Sequence, residues 1–329
     1  MSIRTALAEM SDVGEFETIA ASVLMFADDR YETLLHTGVN PEEKPIADPI
    51  DGFARVSDSD SPHYVLFEFT TTKRSNLDSK WLTESTDPSD KGDLPKAIHE
   101  AEKIRSEAPE AQFTVVLVSN RAVKSDVVKD SHAMADENDV TLDIWNVHRL
   151  GHFLINSRDG QWLRSKHFDQ PARRLSKPLL RELSAQSTDL YQERFHLELD
   201  AVSIERPEQT TLLEQTQSSS PDSYLLPIVG NSGYGKTVTC HQAMTAYLED
   251  GGFALRLEPA DIAENIELAQ AIDSALNRLH PTLNDVAGQD AVQLASQDQP
   301  LMLIVDDLNR ADNPSKLFER LQNWVGGAD

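Results

Sequence analysis

One cysteine, Cys240, is all the sequence holds, so no internal disulfide can form and a reducing compartment is expected. Long apolar runs are missing as well. None approaches the roughly 18–20 residues that a bilayer-spanning helix needs, which leaves no membrane segment to propose. The opening residues, MSIRTALAEMSDVGEFE, lack the apolar stretch and small-residue cleavage site of a signal peptide, so the expected location is the cytoplasm. Aromatic residues make up 6% of the chain, and Trp81, Trp145, Trp162 and Trp324 are scattered, so no base-stacking platform is implied. Basic charge is scarce: 30 Lys and Arg stand against 55 Asp and Glu, for a net charge of −25. Binding by counterion release needs a basic surface, which argues against a protein that coats nucleic acid non-specifically. An acidic average is still compatible with a small basic cleft, and Lys73, Arg74 and Lys80 are local groups for a DNA contact. A surface this rich in carboxylates suits a high-salt cytoplasm and ordinary solubility alike.

What is present suffices for two ordinary domains, with 329 residues of which 39% are hydrophobic and 26% charged. Helical spacing runs through residues 15–36, at Phe16, Ile19, Ala20, Val23, Leu24, Phe26, Ala27, Leu34 and Leu35. Strand patterns follow at Ile50–Val56, Tyr64–Thr71 and Phe113–Ser119. The polar stretch Thr83–Leu94 reads as a loop, with helices at Pro95–Ala108 and Ser125–Asn138 and a short strand at Thr141–Trp145. After a helix ending near Asn156, SRDG is a turn signal. The order is that of an α/β layered domain with a mixed sheet, over residues 1–168. Residues 169–222, with Pro171, Pro178, Pro207 and Pro221 and the polar run TQSSSPDS, read as a helical connector. Residues 223–329 form a βαβ series with a parallel sheet: buried strands at Tyr224–Val229 and Leu301–Asp306, a strand at Phe253–Leu257, and helices at 236–249, 261–279 and 285–297.

The segment Gly230-Asn231-Ser232-Gly233-Tyr234-Gly235-Lys236-Thr237 fits the phosphate-binding pattern G-x-x-x-x-G-K-[ST] in full. Glycines let the backbone wrap tightly, so that successive N–H groups point at phosphate oxygens, and the following helix adds its positive end. In this role Lys236 bridges the β- and γ-phosphates of a nucleoside triphosphate and the Thr237 hydroxyl ligates Mg²⁺. Downstream, the apolar run Leu301–Val305 ends in Asp306-Asp307. Asp306 suits the Mg²⁺ shell, and Asp307 suits a base that polarises the attacking water.

GNSGYGKT at 230–237 and LMLIVDDLNR at 301–310 resemble the STAND-type NTPases, signal-transduction ATPases related to AAA+ proteins. The resemblance covers roughly residues 205–329 and implies ATP and Mg²⁺ as cofactors. Domains of that kind continue past the second motif with further strands, a sensor residue, a helical lid and a large sensor region. This sequence stops soon after, at Asp329, so the resemblance implies an incomplete P-loop NTPase domain. ATP against GTP, and efficient hydrolysis, stay open.

In the N-terminal half, Asp51 in PIDGFA and Glu68 in LFEFTTTK on the next strand can converge on one divalent cation. A cation so held activates water and stabilises charge on a phosphodiester. The apolar flanks Val65, Leu66, Phe67 and Phe69 place Glu68 beside a core, where a carboxylate is costly unless paired or metal-bound. A lysine is expected near the metal; Lys73 is the nearest in sequence and Lys80 the next, and Glu17 on the first helix is within reach of the cluster. Phe16-Glu17, Asp51 and the strand Glu68-Phe69-Thr70 resemble the restriction-endonuclease-like superfamily, including Mrr-type nucleases. That resemblance covers roughly residues 10–165. It departs at Thr70, which stands where the family usually has lysine. TLDIWNVHRLGHFLI, residues 141–155, also looks like the end of nuclease-like domains fused to STAND NTPases in bacterial antiphage systems.

Together these readings give an expectation: a Mg²⁺-dependent DNA endonuclease controlled by an ATP-binding switch, active as a homo-oligomer in antiphage defence. Its rival is an ATP-binding regulator whose nuclease-like fold is inactive and serves binding or oligomerisation. A DNA-dependent motor needs downstream motifs that this sequence lacks. His148 and His152 have no carboxylate or cysteine at ligand spacing, so they read as surface or packing residues. Cys240 reads as a small helix residue facing the core.

Overall fold

Phe113–Val118 is β-branched, leucine or phenylalanine at every position, and such a run is stable only as a central strand covered on both faces. That is its place in the computed structural model of the chain, which describes residues 1–36, 50–56, 61–87, 90–195, 211, 225–231, 233–295 and 300–326. The chain is mixed α/β and divides into two units, Met1–Gln170 and Pro171–Asp329.

In the first unit one sheet has the order β1 (Leu35–His36), β2 (Gly52–Val56), β3 (His63–Thr70), β4 (Gln112–Ser119), β5 (Thr141–Trp145). β1, β2 and β3 are antiparallel, whereas β3, β4 and β5 are parallel. Parallel neighbours need crossovers. These are supplied by α3 (Leu77–Leu82) and α4 (Asp93–Glu107) between β3 and β4, and by α5 (Ser125–Glu137) between β4 and β5. Alternation along β3 sorts its side chains. Val65, Phe67 and Phe69 join the core built with α2 (Val13–Ala27) and α6 (Val147–Asn156). Leu66 joins the opposite core, with Trp81, Leu94 and Ile98. Glu68, two residues on, is therefore on the α3–α4 face. α1 (Ile3–Glu9) and α7 (Arg158–His167) complete the unit.

Three local expectations are corrected here. The helix spaced over 15–36 stops at Ala27, because Asp28 is extended and its carboxylate accepts from Arg30 N; a 3-10 turn and β1 follow. SRDG opens a helix instead of making a turn, because Ser157 accepts from Gly160 N as the N-cap of α7. α3 lies where no helix was expected, just before the polar stretch.

In the second unit β6 (Phe253–Leu257) and β7 (Leu301–Val305) form a parallel pair. α8 (Lys177–Arg194), from the stretch read as a connector, is part of this unit and buries Leu179, Leu180, Leu183 and Tyr191. Then come α9 (Lys236–Glu249), α10 (Pro259–Glu264), α11 (Leu268–Leu279), α12 (Ala287–Leu294) and α13 (Pro314–Gly326). The buried strand expected at Tyr224–Val229 is not formed. Residues 225–229 pair with no strand, Val229 is 91% exposed, and Pro227 has no N–H to give a ladder; Tyr224 lies outside the described residues. β7 is half-buried along its length, not fully buried as expected, since among the described residues only β6 pairs with it.

Candidate functional site

The loop that precedes α9 takes its shape from two glycines. Gly233 and Gly235 have φ of 82° and 76°, the left-handed region that side-chain-bearing residues avoid. Gly235 is the N-cap of α9, so Lys236 and Thr237 begin the helix. Lys236 Nζ folds back to donate to the carbonyl oxygens of Gly230 and Asn231, at 2.9 and 3.0 Å. Tyr234 is exposed, and Ser232 lies outside the described residues.

Thr237 Oγ1 donates to Asp306 Oδ2 at 2.7 Å, across 69 residues of sequence. The two residues expected to share a Mg²⁺ shell are thus in direct contact. Tyr191 Oη donates to the same carboxylate oxygen at 2.8 Å, and Asp307 N donates to Asp306 Oδ1 at 2.8 Å. Tyr191 escaped the sequence reading because it belongs to α8, outside both motifs, and no spacing signal marks it. Burial, then the neighbouring Cys240 and Asp306, push its phenol upward. Cys240 is a buried core residue, as expected, with its thiol pushed up to about 11 by burial and then by Asp306. Asp307 does not share the Thr237–Asp306 contact: its carboxylate lies 3.4 Å from Arg310 Nε. The donor set suits Mg²⁺, which takes hard oxygens and commonly needs only one or two protein ligands beside phosphates and water.

In the first unit Asp51 sits one residue before β2. Its backbone N–H donates to Phe67 O at 3.1 Å, and its Oδ2 accepts from Phe69 N at 2.8 Å, so the residue is clamped to β3 on either side of Glu68. Glu68 is 4% exposed, and its Oε1 has no hydrogen-bond partner. Burial holds its carboxyl well above the ordinary value; Asp93 and Asp51 add to the rise while Lys80 and Lys96 oppose it. Asp93, the first residue of α4, is 1% exposed. Its Oδ1 accepts from Lys80 Nζ at 2.7 Å and its Oδ2 has no partner. Burial raises the Asp93 carboxyl to about 6 against the pull of Lys80. Glu17 is raised to about 7, by burial first and then by Asp51.

The structure therefore brings together Asp51 and Glu68, with Glu17 and Lys80 beside them, and adds Asp93. Lys73 is exposed at the head of the 3-10 turn Arg74–Asn76, whereas the lysines that act most on Glu68 and Asp93 are Lys80 and Lys96. Lys80 takes its place. Burial opposes the charge on Lys80, but Asp93, Glu68 and Asp51 outweigh it and hold its ammonium above the usual value. Thr70 is tied locally, donating to Thr72 Oγ1 at 2.9 Å and accepting from Thr72 N at 3.1 Å. The signal for Asp93 was its position after Gly92. A Cβ on Gly92 would fall 2.7 Å from Thr83 N, so only glycine lets the start of α4 close on the end of α3.

Among the described residues, no group of three His, Cys, Asp or Glu side chains is placed to hold a metal ion, and His148 and His152 are both exposed. Two carboxylates, one with an unpartnered buried oxygen, still fit a cation that keeps most of its water or takes phosphate oxygens. Among the described residues, no helix is long and apolar enough to cross a membrane.

No protein-family model matches the chain, and no curated protein matches it. The arguments below therefore stand on geometry.

Proposed function

We propose that the chain is a Mg²⁺-dependent DNA endonuclease joined to an ATP-binding switch, a cytoplasmic effector of the antiphage type that works as an oligomer. The observation that carries the nuclease half is the buried Glu68, with an unpartnered oxygen, clamped beside Asp51 and within the field of Lys80. The switch half is supported by the Thr237–Asp306 hydrogen bond between two distant motifs.

Asp51 and Glu68 would hold a Mg²⁺, which would supply an activated water and offset charge on the phosphodiester. Asp51 is oriented for this by two main-chain hydrogen bonds, and Asp93 holds Lys80 where its ammonium can face a phosphate oxygen. In the second unit Lys236 must leave the carbonyl oxygens of Gly230 and Asn231 to reach a triphosphate. Thr237 and Asp306 would then hold the Mg²⁺ that accompanies it, and the motif residues Ser232, Gly233, Tyr234 and Gly235 would supply backbone N–H groups to the phosphates.

Cleavage of supercoiled plasmid with Mg²⁺ or Mn²⁺ tests the nuclease half, with and without ATP. Asp51→Ala and Glu68→Ala are each expected to lose at least 100-fold in rate, on the order of what removing a principal catalytic group costs. Wild-type cleavage that survives in Asp51→Ala would falsify the site.

A second reading is favoured by Thr70, whose hydroxyl is tied to Thr72 where the superfamily has its lysine, and by the want of a three-residue metal group among the described residues. In that reading the first unit is an inactive nuclease-like fold used for binding. Calorimetry with Mn²⁺ separates the two: the nuclease reading expects binding that disappears in Glu68→Ala.

A further inference from the structure

At the end of its sheet where β3, β4 and β5 finish, the first unit has a basic pocket that no motif announced. It has a volume of about 380 Å³, and its lining includes Arg4, Arg74, Arg121 and His148 with Glu9 as the one carboxylate. None of the three guanidinium groups makes an ion pair or a side-chain hydrogen bond among the described residues, and the Nε of Arg121 is buried without a partner. In a chain of net charge −25 with 30 basic residues, three arginines without a carboxylate partner on one small concavity make a local concentration of positive charge that suits an anion.

The pocket is built, not incidental. Buried Asn120 donates through Nδ2 to Leu7 O and Met10 O, at 3.0 and 2.9 Å, and so pins the end of α1 to the end of β4. Val147 N donates to Arg121 O, which fastens the start of α6 to the same loop. Gly151 on α6 makes room for the stem of Arg4: a Cβ there would fall 2.7 Å from Arg4 Cγ. The wall is thus made of α1 and of the segments that follow β3, β4 and β5. Glu68 pairs in register with Leu117, and Arg121 lies four residues further on, two past the end of β4, so the chain between Leu117 and Arg121 reaches at most about 14 Å. Successive phosphates of a DNA strand advance about 3.4 Å each along the helix axis, so a reach of that size spans a few phosphates.

We propose that this pocket binds a backbone phosphate of the DNA strand, a few nucleotides from the phosphodiester held at Asp51 and Glu68; it rests on the nuclease reading for the identity of that strand. Arginine is suited to the task, because its planar fork meets two phosphate oxygens at once. The pocket supplies the local attraction that the acidic chain otherwise withholds from DNA.

The test is binding of a labelled mixed-sequence duplex to the full chain in EDTA, read by fluorescence anisotropy across a salt series. Arg74→Gln and Arg121→Gln are each expected to weaken binding roughly tenfold at low salt and to lower the slope of log affinity against log salt by about 0.9. Lys129→Gln, on exposed α5 surface, is expected to change neither. Arg74 is on an exposed turn, so its replacement separates a lost contact from a lost fold. Variants that bind as wild type overturn the proposal, as does inorganic phosphate bound with the same arginine dependence when the duplex is not. Plasmid cleavage in parallel keeps the two ideas apart. Cleavage abolished by Asp51→Ala but untouched by both arginine changes removes the pocket and leaves the nuclease. Arginine-dependent duplex binding with no cleavage under any condition removes the nuclease and leaves the pocket as a DNA-binding site.

Discussion

Asp143 takes a hydrogen bond from Tyr31 Oη at 2.7 Å and from Trp145 Nε1 at 3.0 Å, and pairs with Arg149, whose guanidinium lies 3.8 Å from the Trp145 ring centre. Burial alone would raise this carboxyl, but Arg149, Tyr31 and Trp145 together hold it below its ordinary value. A carboxyl lowered on folding stabilises the protein above its unfolded pKa, and that stabilisation is lost as pH falls through the folded value. Asp143→Asn is therefore expected to cost on the order of 1–3 kcal/mol near neutral pH, by loss of charge-assisted hydrogen bonds. The gap to wild type should narrow as pH falls below about 4. Denaturant melts at both ends of that range check it; a gap of equal size at both would count against the assignment. At this same scale the sequence pointed to Asp51 and Glu68 through their residue type and apolar flanks, but favoured Lys73 over Lys80 by proximity alone. Which lysine faces the acids depends on where the chain turns, and α3 turns it so that Lys80 meets Asp93.

Helices and strands bring a different kind of constraint. In a parallel pair, β6 can give only alternate N–H groups to β7. Two of the others are taken by α8: Ala254 N donates to Ser184 Oγ at 3.2 Å and Arg256 N to Ser187 Oγ at 2.9 Å. Serines three apart on one helix face thereby close the outer edge of the sheet, which otherwise offers unpaired N–H groups to other chains. Replacing both by alanine leaves two N–H groups unsatisfied, at about 1–3 kcal/mol each. Urea unfolding of Ser184→Ala/Ser187→Ala is expected to show the loss; a midpoint unchanged from wild type would mean that the edge is held by something else. The serines were invisible in sequence because α8 read as connector, and nothing in their spacing says that a strand some 70 residues later will meet them. By contrast, α9 and β6 were legible to the residue, since a glycine stop and an apolar run are local signals.

For the molecule as a whole, the excess of carboxylates raises the energy of any site that gathers anions, so bound cations should stabilise each unit. Anything that binds the folded state alone adds stability by mass action, about 2.7 kcal/mol at a hundred times its Kd. MgATP is expected to slow hydrogen exchange in α9 and around β7, where Lys236, Thr237 and Asp306 lie. Asp306→Asn keeps an oxygen for Thr237 and Tyr191 but loses the charge, so it should abolish the Mg²⁺-dependent part of the protection. Equal protection in wild type and Asp306→Asn would show that Asp306 is not in the metal shell.

The sequence by itself determined that the chain is mixed α/β, that Gly230–Thr237 is a glycine loop leading into a helix, and that Asp51 and Glu68 border an apolar strand. Each rests on short-range physics: periodicity, the freedom of glycine, and the cost of a carboxylate among apolar neighbours. Tertiary structure alone decided that Thr237 touches Asp306, that Tyr191 joins them, and that Asp93 and Lys80 complete the acid cluster. It alone gathered Arg4, Arg74 and Arg121 into one pocket. Those contacts join residues far apart in the chain, and their geometry is fixed by how strands pair and where helices cross over, which no local pattern encodes.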